Sequence, residues 1–155
     1  MEPSPKGAFG TKAPVAQPEA RPQSLCLWCE SDVVLDVVFD RGLLFVVLSN
    51  IGDRPALSVR VKFGAPLTGV GGAKRIDRLA LFRKLEFLAP HKSIEVFLDR
   101  SADFFSRGEP TKIVAAVSWR TSAGERRSVT IDHDLEIYRD LGYIEREVPH
   151  RADQA

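Results

Sequence analysis

Leu43–Phe63 reads LLFVVLSNIGDRPALSVRVKF, and this stretch decides the fold. Leu43, Leu44, Phe45, Val46, Val47 and Leu48 form an apolar run rich in β-branched and aromatic types, of strand length and far short of a membrane span. Ser49, Asn50, Gly52, Asp53 and Pro55 cluster where the run stops, and each favours a turn for its own steric or hydrogen-bonding reason. Val59, Val61 and Phe63 then alternate with Arg60, Lys62 and Gly64, which gives a second strand one apolar and one charged face. Strand, turn and strand point to an all-β domain.

Upstream, Val33–Phe39 (VVLDVVF) places Val33, Leu35, Val37 and Phe39 on one face of a strand. Asp40-Arg41-Gly42 reads as a three-residue hairpin loop with Gly42 in the left-handed position. That loop pairs Phe39 with Leu43, Val37 with Phe45 and Leu35 with Val47 toward the core. Val34, Val38, Leu44, Val46 and Leu48 then point outward with Asp36 as their one charge, too apolar a set for a freely solvated sheet. A two-residue loop would exchange the second strand's two sets and leave the same conclusion. These five residues are the expected interaction face. Its cover is either internal, from Leu135, Ile137, Tyr138, Leu141, Tyr143 and Ile144, or external, from a partner protein or a second copy in a homodimer. A tethered segment loses less entropy on docking, which favours the internal cover.

Downstream, Gly64–Lys74 is a glycine-rich connection that fits neither GxGxxG nor the phosphate-binding GxxxxGK[ST] spacing. Arg75–Leu88 (RIDRLALFRKLEFL) is locally basic and partly helical in period. An amphipathic membrane-surface helix is one reading. A turn or short strand crossing between sheets is the favoured one, because Asp77 and Glu86 interrupt the basic face. Ile94, Val96 and Leu98 mark another strand. Ser101 is the expected cap of a short helical turn holding Phe104 and Phe105, stopped by Gly108 and Pro110. Lys112–Trp119 and Ser128–His133 flank the turn Ser122-Ala123-Gly124-Glu125 as a hairpin. Leu135, Tyr138 and Leu141 then fall at helical intervals.

The chain has 155 residues, with 22 Lys plus Arg against 21 Asp plus Glu, so its total charge does not call for nucleic acid. Residues 1–24 hold prolines at 3, 5, 14, 18 and 22 and no apolar core of a signal peptide, which suggests a cytoplasmic protein. The expected organisation is a disordered proline-rich tail over 1–31, a β-sandwich over 32–147 and a frayed end over 148–155. Cys26-Leu27-Trp28-Cys29 is the only CxxC pair. Glu30, Ser31, Asp32 and a strand follow it rather than a helix, and no second ligand pair completes a zinc site, so no metal and no cofactor is expected. There is no GxSxG, HExxH or kinase motif set. Asp132-His133-Asp134 cannot form a local triad, since adjacent strand residues face opposite ways, and it reads as an exposed strand terminus.

About seven strands with turns at regular intervals indicate an antiparallel sandwich with Greek-key connections and a short C-terminal helical segment. Asn50-Ile51-Gly52 followed by Ala56 and Val59 resembles the N-x-G, A-x-x-V opening of immunoglobulin-like modules of the bacterial CARDB type. Leu88-Ala89-Pro90 resembles their L-x-P-G turn, with His91 where glycine is expected. Ile113–Trp119 before Ser122-Ala123-Gly124 resembles their closing hairpin. The resemblance spans roughly residues 33–133 and implies an immunoglobulin-like fold with protein-binding, non-catalytic roles. The expected function is therefore a scaffold or adaptor domain that binds another protein through a sheet face or edge, with no nucleic acid and no membrane. The alternatives are a thiol- or zinc-dependent protein using Cys26 and Cys29, or a peripheral membrane module using segment 75–84.

Overall fold

The structure is a computed structural model that describes residues 31–141. It is an all-β sandwich of two antiparallel sheets. The first contains β1 (Val33–Asp40), β2 (Leu43–Asn50) and β7 (Ser93–Arg100) in the order β1-β2-β7. The second contains β3 (Ala56–Phe63), β6 (Leu85–Leu88), β8 (Lys112–Arg120) and β9 (Arg126–Asp134) in the order β6-β3-β8-β9. A two-residue ladder, β4 (Thr68–Gly69) with β5 (Lys74–Arg75), lies in the glycine-rich connection. Between β5 and β6 the chain makes a 3-10 turn (Ile76–Arg78) and the short helix α1 (Ala80–Lys84). The second short helix, α2 (Ser101–Ser106), follows β7, and a 3-10 turn (Leu135–Tyr138) follows β9.

Strand periodicity fixes what is buried. Val33, Leu35 and Val37 of β1, Val59 and Val61 of β3, and Ile113, Ala115, Val117 and Trp119 of β8 all point between the sheets. Phe82 from α1, Phe104 from α2 and Leu135 close the ends of this core. Each such Leu or Phe contributes about 1.5–3 kcal/mol by leaving water.

The register of the first hairpin differs from expectation. Asp40 pairs with Leu43, Phe39 with Leu44, Val37 with Val46 and Leu35 with Leu48, so the loop is the two residues Arg41-Gly42. Both are left-handed, at φ 49 and φ 82, as a type I′ turn requires. No local pattern marks Arg41, a non-glycine residue, as one that takes this conformation. A one-residue slip reverses every side chain, so Leu44, Val46 and Leu48 are 0% exposed and belong to the core, not to an outward face. Ser101 likewise is the first residue of α2 rather than its cap, and no side chain caps that helix.

Asn50, at the end of β2, is buried and fully bonded. Its Oδ1 accepts from the N–H groups of Asp32 and Gly52, each at 3.1 Å. Its Nδ2 donates to the carbonyls of Arg54 at 2.7 Å and Leu88 at 3.2 Å. One amide thus ties the start of β1, the β2–β3 connection and the end of β6.

Two substitutions test this frame. Asn50→Ala strands two N–H groups and two carbonyls and is expected to cost on the order of 3 kcal/mol in chemical denaturation; a cost under about 0.5 kcal/mol contradicts the clasp. Leu44→Lys is expected to abolish folding whereas Val38→Lys leaves the unfolding midpoint nearly unchanged; tolerance of both substitutions alike would restore the three-residue loop.

Candidate functional site

The outward face of the three-stranded sheet is apolar with a membership set by the two-residue turn. Val34 and Val38 lie on it as expected from sequence. Phe45, Val47 and Phe97 take the places that Leu44, Val46 and Leu48 were expected to fill. Val38 and Phe97 are each 38% exposed. The rings of Phe45 and Phe97 meet edge to face with centroids 5.8 Å apart. Asp36 and Glu95 are the charges within it, Asp40 and Arg100 flank Leu43 at the hairpin end, and Ser49 and Ser93 bridge by their hydroxyls at 2.7 Å at the other end.

The C-terminal segment covers the edge of this sheet, not the face. Leu135 enters the core, Tyr138 stacks on Phe39 with centroids 5.9 Å apart, and Ile137 and Leu141 are exposed. Tyr143 and Ile144 lie outside the described residues. Along β1, the Tyr138 hydroxyl donates to the Val37 carbonyl at 2.7 Å, and Nε2 of His133 donates to the Leu35 carbonyl at 3.1 Å. Asp36 accepts from Val37 N–H at 2.7 Å and lies 3.4 Å from His133 Nε2. These side chains satisfy backbone groups that an edge strand otherwise offers to another chain. Burial, and then the nearby Asp36 charge, pushes the Tyr138 phenol up from its ordinary value. His133 is half-buried in this latch rather than freely exposed, and its sequence neighbours Asp132 and Asp134 face away from it. Asp134 instead caps the following 3-10 turn by accepting from Glu136 N–H.

The glycine-rich connection clasps an anion that is the protein's own. Asp99 of β7 is buried, accepts from the Gly71 N–H at 3.2 Å and from Arg100 N–H at 2.9 Å, and pairs with Arg107 Nη1 at 2.6 Å. Gly69 runs so close to β7 that a Cβ there would sit 2.1 Å from the Leu98 carbonyl oxygen. Further on, Arg75 grips Asp77 through two nitrogens, and Asp77 also accepts from Leu67 N–H. Asp77, expected to interrupt a basic face, is therefore a structural clasp.

The outward face of the four-stranded sheet carries the second candidate surface, which sequence reading missed. Two open clefts meet at Arg60. One, of about 640 Å³, is lined by Arg60, Arg78, Ala80, Arg83, Lys84 and Glu86. The other, of about 370 Å³, is lined by Ser58, Arg60, Ser118, Trp119, Arg120, Arg126 and Arg127. Arg60 is steadied by donating from Nη1 to the Arg83 carbonyl. The cations come from five separate elements. The local signs of them were the alternation of Arg60 and Lys62 on β3 and the basic run within Arg75–Leu88; their meeting on one face was not visible.

Among the described residues no group of three or more His, Cys, Asp or Glu could hold a metal, and no helix is long and apolar enough to cross a membrane. Cys26 and Cys29 lie outside the described residues. Fold and surfaces together define a β-sandwich domain with two exposed, chemically unlike sheet faces. Residues 16–139 match the family described as Domain of unknown function (DUF8453), and the chain belongs to that family. No curated protein matches the chain.

The Arg75 hydrogen bonds hold the Asp77 carboxyl below the usual aspartate range; burial opposes them and the Leu67 N–H reinforces them. A lowered folded-state value means stability that is complete above the ordinary aspartate range and lost as pH falls through the lowered value. Asp77→Asn is expected to cost about 1 kcal/mol near neutrality and to flatten that part of the acid limb in pH-dependent denaturation. An unchanged acid limb would remove Asp77 from the clasp.

Proposed function

We propose that this domain is a non-enzymatic, cytoplasmic protein-binding module with an immunoglobulin-like fold, which engages another protein through the outward face of its three-stranded sheet. The observation that carries this reading is the patch of Val34, Val38, Phe45 and Phe97 around the buried Val47, on a face that a solvated sheet normally makes polar. Two adjacent phenyl rings are the kind of anchor that dominates protein interfaces. The resemblance to CARDB-type modules supports the same role, and the crossing of β2 to β3 and of β7 to β8 between sheets suits an immunoglobulin-like sandwich. The non-catalytic reading is supported by where the histidines work: His133 latches β1, and His91 pairs with Asp53 at the surface at 2.8 Å.

Segment 75–84 turns Ile76 and Phe82 inward, so its apolar side chains serve the core and are not free to enter a bilayer. That disfavours the peripheral-membrane alternative.

The test is a Phe45→Lys, Phe97→Lys double variant compared with wild type in cross-linking from the native host and in light scattering. Wild type is expected to hold a protein that the variant loses, with an unfolding midpoint lowered by no more than a few degrees. A wild-type dimer that the variant abolishes would make a second copy the partner. Identical cross-linked species for both proteins would sink the reading.

A further inference from the structure

The near-neutral total charge averages over two unlike surfaces. On β9 the ends differ in sign, with Arg126 and Arg127 at the start and Asp132 and Asp134 at the finish. Arg120 sits directly opposite Arg126 across the β8–β9 ladder, and like charges so placed repel. Among the described residues no carboxylate pairs with Arg78, Arg83, Lys84, Arg120 or Arg126. Crowding unpaired cations on one face costs stability unless an anion joins them.

The floor between these cations is small and hydroxylated: Arg60 faces Ser118, which faces Ser128, and Lys62 faces Ala116, which faces Thr130. At one end of the cation array Leu57 pairs with both Arg120 and Phe87, and the Phe87 ring is 56% exposed. From these observations we infer that the outward face of the four-stranded sheet binds single-stranded nucleic acid, its phosphates on the arginine clefts and a base stacked on Phe87. Arginine forks and hydroxyls are suited to phosphate oxygens. An exposed aromatic beside a cationic groove is the arrangement that holds unpaired bases, whose faces a duplex keeps stacked.

A protein occupant fits less well. A protein contact is commonly anchored by aromatic side chains near its centre, and the centre here is Arg60, Ser118 and Ala116, with the aromatic Phe87 at one end. This surface is on the opposite side of the sandwich from the protein-binding patch and stands independently of it.

The experiment is fluorescence anisotropy of the full chain with a labelled oligothymidylate of about a dozen nucleotides at low salt, within the usual span of a single-strand groove. Wild type is expected to bind, with affinity falling as salt rises by a log–log slope of about 0.7 per phosphate contacted. Arg120→Glu with Arg126→Glu is expected to weaken binding roughly tenfold or more and to reduce that slope. Phe87→Ala is expected to weaken it roughly tenfold with the slope unchanged. Lys92→Glu, at the rim of the other sheet, should bind as wild type does. Circular dichroism checks that each variant is folded. No binding at low salt, or equal binding by the double variant, overturns the inference. So does displacement by polyglutamate as readily as by unlabelled oligonucleotide, which would point to an acidic protein. Co-sedimentation with phosphatidylserine vesicles in the absence of oligonucleotide binding would overturn it in favour of a membrane.

Discussion

The Asn50 amide is the constraint on which the rest of the sandwich depends. β2 belongs to one sheet and β6 to the other, and the amide bonds to backbone at the ends of both. It is flanked by backbone bonds from Asn50 N–H to the Lys92 carbonyl and from Ile51 N–H to the Asp32 carbonyl, so four chain segments converge there. No other short side chain can serve. The site presents two N–H groups and two carbonyls, and a primary amide of this length is the group that offers two acceptor lone pairs and two donors together. An aspartate would confront the Arg54 and Leu88 carbonyls with its own negative charge. This gives the Asn-x-Gly signature a physical basis: Gly52 supplies one of the N–H groups that Asn50 accepts. At the same end, buried Trp119 donates from Nε1 to Ser31, at 3.2 Å to the hydroxyl and 3.3 Å to the carbonyl, and pins the chain entering β1 to β8.

The strand faces were legible because burial imposes a period of two, and Val33, Leu35, Val37, Val59, Val61 and Leu98 were placed inward from that period alone. Register was not legible, because it turned on a single backbone angle. Asp40-Arg41-Gly42 suits a bulged three-residue loop by residue type, and only the left-handed Arg41 makes it a two-residue turn. The consequence was large: three of the five residues expected outward are in the core. The apolar character of the outward face survived, since β2 is apolar on both sides. A similar left-handed non-glycine stands at His91, φ 55, where the resembling L-x-P-G turn carries glycine. The turn was recognised there because Pro90 and the flanking strands are stronger cues than the residue that departs from the pattern.

The connections resisted reading for a different reason. Arg75–Leu88 divides into a 3-10 turn, a five-residue helix and a strand, so no single period runs long enough to stand out. Gly64–Lys74 looked like a loop without a partner, yet its N–H at Gly71 is committed to Asp99, twenty-eight residues away. Such pairings depend on the fold bringing distant segments together, and no local pattern announces them. The basic clefts were hidden in the same way. Arg60, Arg83 and Arg120 are dispersed in the chain and meet only because β3 lies between β6 and β8.

The two outward faces differ in the physics by which each can hold a ligand. The binding proposed on Phe45 and Phe97 would be driven by loss of apolar surface from water, which added salt does not screen. The binding inferred for the arginine clefts would be driven by displacement of counterions and would collapse as salt rises. The interior between them is close-packed and apolar, with Val37, Val46, Val59 and Val117 wholly or almost wholly buried. A core of that kind transmits little unless it has two packings, and nothing in the register of either sheet offers a second. Under the two proposals together, the sandwich would join an apolar protein surface to a polyanion, with ionic strength acting on one contact and leaving the other in place.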